Sequence, residues 1–112
     1  MHELGITRNI VAIVSDAARG RRVRRVHVEV GQLSGVLPQA VAFCFEVVAK
    51  GTPLESATLS IREVEGRGRC RACGEELATP TLFTPCGCGS RDIERLQGEE
   101  LKVKSMEIEE AA

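Results

Sequence analysis

Two close cysteine pairs constrain this chain more than any other feature. Cys70-Arg71-Ala72-Cys73-Gly74 is answered further on by Cys86-Gly87-Cys88-Gly89-Ser90. A pair at such spacing closes a tight turn that aims both sulfurs at one point, and glycine behind it lets the chain pass close. Four thiolates suit Zn(II), which imposes no geometry of its own and is held in closed structural sites by all-cysteine sets. Zinc ligands are therefore expected at Cys70, Cys73, Cys86 and Cys88. The first pair has the usual C-x2-C spacing. The second is C-x-C, one residue short. The competing reading, a disulfide framework, belongs to oxidising compartments, and nothing in the sequence marks the chain as secreted.

At 112 residues, 43% hydrophobic and 28% charged, the chain has the composition of a soluble globular domain carrying a smaller module. It has no Trp or Tyr and three Phe, so its core must be aliphatic and it lacks the platforms that stack single-stranded nucleic acid. A net charge of −1 and a pI near 6.1 give no global attraction to phosphate backbones. No apolar run has transmembrane length, and the start lacks the basic-then-apolar layout of a signal peptide. The expectation is a cytoplasmic protein with no nucleic-acid or membrane partner.

Along the chain the hydrophobic period changes twice. Residues 3–19 read as an amphipathic helix with Ile6, Ile10, Ile13, Val14 and Ala17 on one stripe and Gly20 ending it. From Arg21 to Val30 the period becomes two, with Val26, Val28 and Val30 alternating against Arg25, His27 and Glu29. Pro38 fits the first turn of a second helix, with Val41, Cys44, Phe45 and Val48 apolar, Glu46 and Lys50 able to pair, and Gly51 closing it. Strands are expected at Ala57–Val64 and Leu101–Ile108, the latter with a bulge near Ser105, where its alternation changes phase. Between them, from Gly66 to Gly98, periodicity disappears. The fold class is thus α+β: a small three-stranded sheet with two helices, plus an inserted zinc-ribbon-like module. The domains expected are 1–66, completed by 97–112, and a zinc-binding 67–96 whose folding energy comes mostly from metal.

Other chemistry-bearing residues divide by position. Arg67, Arg69, Arg71 and Arg91 flank the knuckles, where they could offset the −2 charge of a zinc tetrathiolate. The arginines at 19, 21, 22, 24 and 25 read as solvated charge, His27 as a solvated sheet histidine, and Cys44 as a buried thiol. His2 stands apart because Met1 is normally retained before a large residue. The free Met1 amine, the His2 backbone nitrogen and the His2 imidazole can close two fused chelate rings, with the backbone nitrogen or carboxylate of Glu3 adding a donor. Such nitrogen ligands favour planar Ni(II) or Cu(II).

Met1-His2-Glu3 at the start and the cysteine module near the end resemble the HypA/HybF family of hydrogenase nickel-incorporation proteins. So do Leu4-Gly5-Ile6, Val28-Glu29-Val30-Gly31, Phe43-Cys44-Phe45-Glu46, Cys88-Gly89-Ser90 and Gly98-Glu99-Glu100-Leu101. The family has two C-x2-C pairs with proline after the third cysteine, whereas here Pro85 precedes Cys86. The resemblance implies a metallochaperone and not an enzyme, with nickel on His2 and the terminal backbone and structural zinc on the four cysteines. It further implies delivery of Ni(II) to the large subunit of a [NiFe] hydrogenase together with the accessory GTPase HypB, by a monomer or weak homodimer. Two other classes compete: a zinc-ribbon protein-interaction module without nickel transfer, and a thiol redox enzyme using Cys70 and Cys73.

Overall fold

In a computed structural model, which describes residues 2–110, the α+β class is realised as two three-stranded sheets and two helices. The elements are α1 (Glu3–Ala18), β1 (Val23–Gly31), α2 (Pro38–Val48), β2 (Thr58–Val64), β3 (Arg67–Cys70), β4 (Glu76–Ala78), β5 (Ile93–Gln97) and β6 (Leu101–Ile108). The larger sheet has order β2-β1-β6, with β1 parallel to β2 and antiparallel to β6. The smaller, β4-β3-β5, is the ribbon around the cysteines.

Strand β1 is the centre of the core because valine recurs at every second position from Val26 to Val30. Val26, Val28 and Val30 are fully buried and meet Ile10, Val11, Val14 and Ala18 of α1 and Val41 and Phe45 of α2. Burial of each such side chain contributes about 1.5–3 kcal/mol. The β6 bulge is present: His27 opposes Ser105 and Val28 opposes Val103, so one residue is extra and the inward set passes from Val103 to Met106.

The buried face of α1 differs from the expected stripe. Thr7, Ile10, Val11, Val14 and Ala18 are buried, whereas Ile13 is 60% exposed and Ala17 is also exposed. Thr7 enters the core because its hydroxyl donates to the Glu3 carbonyl at 2.7 Å, which satisfies the polar group. The helix stops one residue early, at Ala18: Arg19 is the C-cap, in the left-handed region at φ 53°, and Gly20 follows as the expected C′ glycine at φ 81°. On α2, Val41 and Phe45 are buried, Cys44 and Val48 are only half-buried, and no ion pair joins Glu46 to Lys50 among the described residues.

Two glycine-only approaches join the sheets. A Cβ on Gly31 would fall 2.0 Å from the Gly98 carbonyl oxygen, and one on Gly66 would fall 2.1 Å from the Thr79 oxygen. The backbones interlock there, with Leu33 N–H donating to Gly98 and Thr79 N–H to Gly66. Any side chain at either glycine would push the two connecting segments apart.

Candidate metal centre

The ribbon has almost no apolar core. From Arg67 to Gln97 only Gly68, Cys70, Thr79 and Cys86 are buried, and Leu77 and Ile93 are half-buried. What converges instead is sulfur. The Sγ atoms of Cys70, Cys73, Cys86 and Cys88 all lie within 4.8 Å of one another. Cys70 and Cys88 are 3.7 Å apart, and Cys73 and Cys86 are 3.6 Å apart, so each close pair spans the two knuckles. A tetrahedron with metal–sulfur bonds of about 2.3 Å has edges of about 3.8 Å, which these separations match. Disulfide bonding would need about 2.05 Å. The donor set fits Zn(II).

The short C-x-C spacing is absorbed inside its turn. In the first knuckle Cys70 N–H donates to the Glu75 carbonyl and Gly74 N–H to the Cys70 carbonyl, both at 2.8 Å. In the second, Cys86 N–H donates to Ser90 and Gly89 N–H to Cys86, both at 2.9 Å. The pattern is the same with one residue removed, and Gly74 and Gly89 both take positive φ, 79° and 94°. In each knuckle the first cysteine is buried and the second exposed.

The thiols are unequal before any metal arrives. The N–H of Cys73, outweighing the effect of burial and aided by the N–H of Ala72 and the neighbouring sulfurs, holds the Cys70 thiol down at about 6. The Glu75 N–H favours a thiolate at Cys73, but Cys86, burial and the other two sulfurs together push that thiol up to about 12. Cys88 is also raised: the Ser90 N–H pulls it down, and Cys86, Cys70 and burial outweigh it. A cluster of like groups can ionise once easily and then resists. A divalent cation removes that resistance.

The flanking arginines do not serve the sulfurs. Arg67 and Arg69 straddle Glu76, Arg69 also reaches Glu94, Arg71 pairs with Asp92 at 2.9 Å, and Arg91 donates to the Phe83 carbonyl. Charge on the thiolates is met by backbone N–H groups of Ala72, Cys73, Glu75 and Ser90. Residue types could not have shown this, since every residue carries the donor. Cys44 lies outside the cluster.

The chain's start is a second place of interest. His2 is exposed and occupies the N-cap of α1, where its carbonyl accepts from Ile6 N–H and its side chain caps nothing. The imidazole is therefore not consumed by the helix. Glu3 is committed elsewhere: its Oε2 accepts the Leu37 N–H at 3.2 Å, and that bond, its own N–H and the nearby His2 hold its carboxyl below the usual range. Met1, whose amine belongs to the expected chelate, lies outside the described residues. His27, expected to be solvated, has Nε2 2.7 Å from Glu107 Oε2.

A family profile described as "Hydrogenase/urease nickel incorporation, metallochaperone, hypA" matches residues 1–108. A Nostoc protein named hydrogenase maturation factor HypA is 54% identical over 110 residues, covering 98% of this chain and 97% of that protein. Its namesake in Geobacter metallireducens is 47% identical over 110 residues, covering 97% of this chain and all of that protein. Among solved structures, the nickel metallochaperone HypA of Helicobacter pylori superposes with a TM-score of 0.67 at 22% identity, over 96% of this chain and 97% of that one. A second HypA solution structure gives 0.68 at 23% identity, over 96% of each.

Proposed function

Because this chain belongs to the HypA family of hydrogenase and urease nickel-incorporation metallochaperones, we propose that it binds Ni(II) at its amino terminus and passes it to the large subunit of a [NiFe] hydrogenase, in concert with the GTPase HypB. The observation that carries this reading is the free His2 imidazole at an exposed helix start. There the Met1 amine, the His2 backbone nitrogen and the imidazole supply planar nitrogen donors. The positive end of the α1 dipole opposes a cation by about 0.3–1 kcal/mol, and Glu3 in the first turn offsets part of it. A surface site weakened in this way can give up its ion one ligand at a time. The Glu3 carboxylate acts chiefly as a tie to Leu37, which fixes the helix start against the loop before α2.

Zn(II) is the structural partner in this reading, held by Cys70, Cys73, Cys86 and Cys88, with 67–96 as the zinc domain and 1–66 plus 97–112 as the nickel domain. When bound, zinc supplies the cross-link that the ribbon's missing core cannot. The protein acts in the cytoplasm, as a carrier and not a catalyst. Among the described residues no helix is long and apolar enough to cross a membrane.

Two tests follow. In cells lacking the native gene, the His2→Ala chain should fail to restore hydrogenase activity in nickel-poor medium and should recover part of it with excess nickel. Full restoration without added nickel would defeat the terminal site. The second test concerns pH. Zinc must displace protons from Cys73 and Cys88 at neutral pH, whereas Cys70 gives none up above about 6. Zinc affinity should therefore weaken as pH falls from 9 to 6 and more steeply below 6, where the Cys70 proton joins the competition. A chelator-competition series across that range would show the change of slope.

A further inference from the structure

The helices cover only one face of the β2-β1-β6 sheet, and the other face carries an unbalanced charge. Six basic side chains stand on it or at its rim: Arg22, Arg24, Arg25, Arg62, Lys102 and Lys104. Against them stand three carboxylates. Glu29 is shared by Arg62 at 2.8 Å and Lys102 at 3.5 Å, Glu107 by His27 and Arg25, and Glu109 lies 4.0 Å from Arg22. Among the described residues Arg24 and Lys104 are in no ion pair, and the Arg62 side chain remains 74% exposed despite its bond. The named groups sum to +3 in a chain whose net charge is −1. A merely solvated sheet face intersperses the two signs more evenly.

The face also has relief. Because Ser60 and Ser105 flank His27 with short side chains, a trough of about 300 Å³ opens between Arg62 and Lys104. Its lining includes Val28 and Glu29, whose carboxylate is already paired with Arg62 and Lys102. We propose that this face docks an acidic protein surface, with a partner carboxylate seated in the trough between Arg62 and Lys104. A protein fits better than a polynucleotide, since Glu29, Glu107 and Glu109 would repel a continuous row of phosphates and no Trp or Tyr is present to stack bases. It fits better than a membrane, since the exposed large apolar residues lie on α1 (Leu4, Ile13), on or beside α2 (Leu37, Phe43, Val47) and on the ribbon (Leu82, Phe83, Leu96). Leu101 of β6 lies against Ile6, Ile10 and Ile13 of α1, which leaves this face without an apolar anchor. Complementary charge of this kind sets encounter rate and register, and it weakens with salt. None of the residues named on it belongs to the cysteine cluster or to the start of α1.

The test uses the zinc-loaded full chain, followed by backbone-amide NMR, with three probes of equal charge: an oligoglutamate peptide, an oligothymidylate, and phosphatidylglycerol vesicles. The peptide should shift amides of β1, β2 and β6 around His27, Ser60, Arg62 and Lys104, and its affinity should fall roughly tenfold when salt rises from low to physiological. Arg24→Glu combined with Lys104→Glu removes two cations that hold no intramolecular pair, so the fold should persist. This variant should bind the peptide at least about tenfold more weakly while retaining native nickel affinity and zinc content. Arg62→Gln tests the trough itself and should give a smaller loss in the same direction. The proposal is overturned if peptide shifts fall elsewhere, if the double variant binds as the native chain does, or if the oligothymidylate or the vesicles bind more tightly than the peptide.

Discussion

Replacing Cys70 or Cys73 by Ala should unfold the ribbon between residues 67 and 96 while α1, α2 and the β2-β1-β6 sheet persist. The difference lies in what each half buries. The larger sheet closes on Val26, Val28, Val30, Val14 and Val41, all at or below 1% exposure. The ribbon buries no large apolar side chain other than its own cysteines. A structural zinc contributes roughly 10–16 kcal/mol of apparent binding energy in small modules, and removal of one thiolate leaves nothing comparable to take its place. The strands β3, β4 and β5 span four, three and five residues, too short to hold alone. Zinc content near zero, with loss of dispersed amide signals confined to 67–96, is the expected result. Cys86→Ala and Cys88→Ala should be as severe, because the shortened second knuckle delivers both sulfurs to the cluster. Cys44→Ala should leave zinc untouched. A ribbon that stays folded and zinc-loaded in Cys88→Ala would mean that another group completes the site.

The same contrast explains what could be read from the residues alone. The alternating valines of β1 and the phase change near Ser105 were legible because burial on one face of a strand leaves a period of two, and a bulge breaks it visibly. The face of α1 was not, because Ile6, Ile10, Val11, Ile13, Val14, Ala17 and Ala18 spread over an arc of roughly 160°, wider than the stripe that is buried. Packing against β1 and α2 decides which stripe is buried, and it chose the one containing Thr7 and Ala18. The three ribbon strands left no period at all, since a strand without an apolar core needs none. The cysteine positions were plain from spacing, but their electrostatics were not: the N–H groups that settle the thiols come from turn geometry, while the arginines that looked suited to the task pair with Glu76, Glu94 and Asp92.

Nickel binding should depend on where the chain begins as strongly as on His2 itself. In the proposed chelate the Met1 amine and the His2 imidazole are two donors of one site, joined through the His2 backbone nitrogen. His2→Ala removes the imidazole and keeps the amine. A single Gly placed before Met1 keeps the imidazole but turns the amine into an amide, whose nitrogen has no basic lone pair. Each change should weaken nickel binding by about 3 kcal/mol, roughly a hundredfold, while zinc content and fold are unchanged. Glu3→Gln should cost much less, because the carboxylate serves the Leu37 N–H and an amide oxygen can still accept that bond. Acid should release the metal from the native chain, since protonation removes the lone pair of an imidazole or an amine. The measurement is calorimetry on tag-free protein, on the Gly-extended chain, on His2→Ala and on Glu3→Gln. If the Gly-extended chain binds nickel as the native one does, the amine is not a ligand. The metal must then sit on side chains alone, and His27 beside Glu107, 2.7 Å away, is the next place to look.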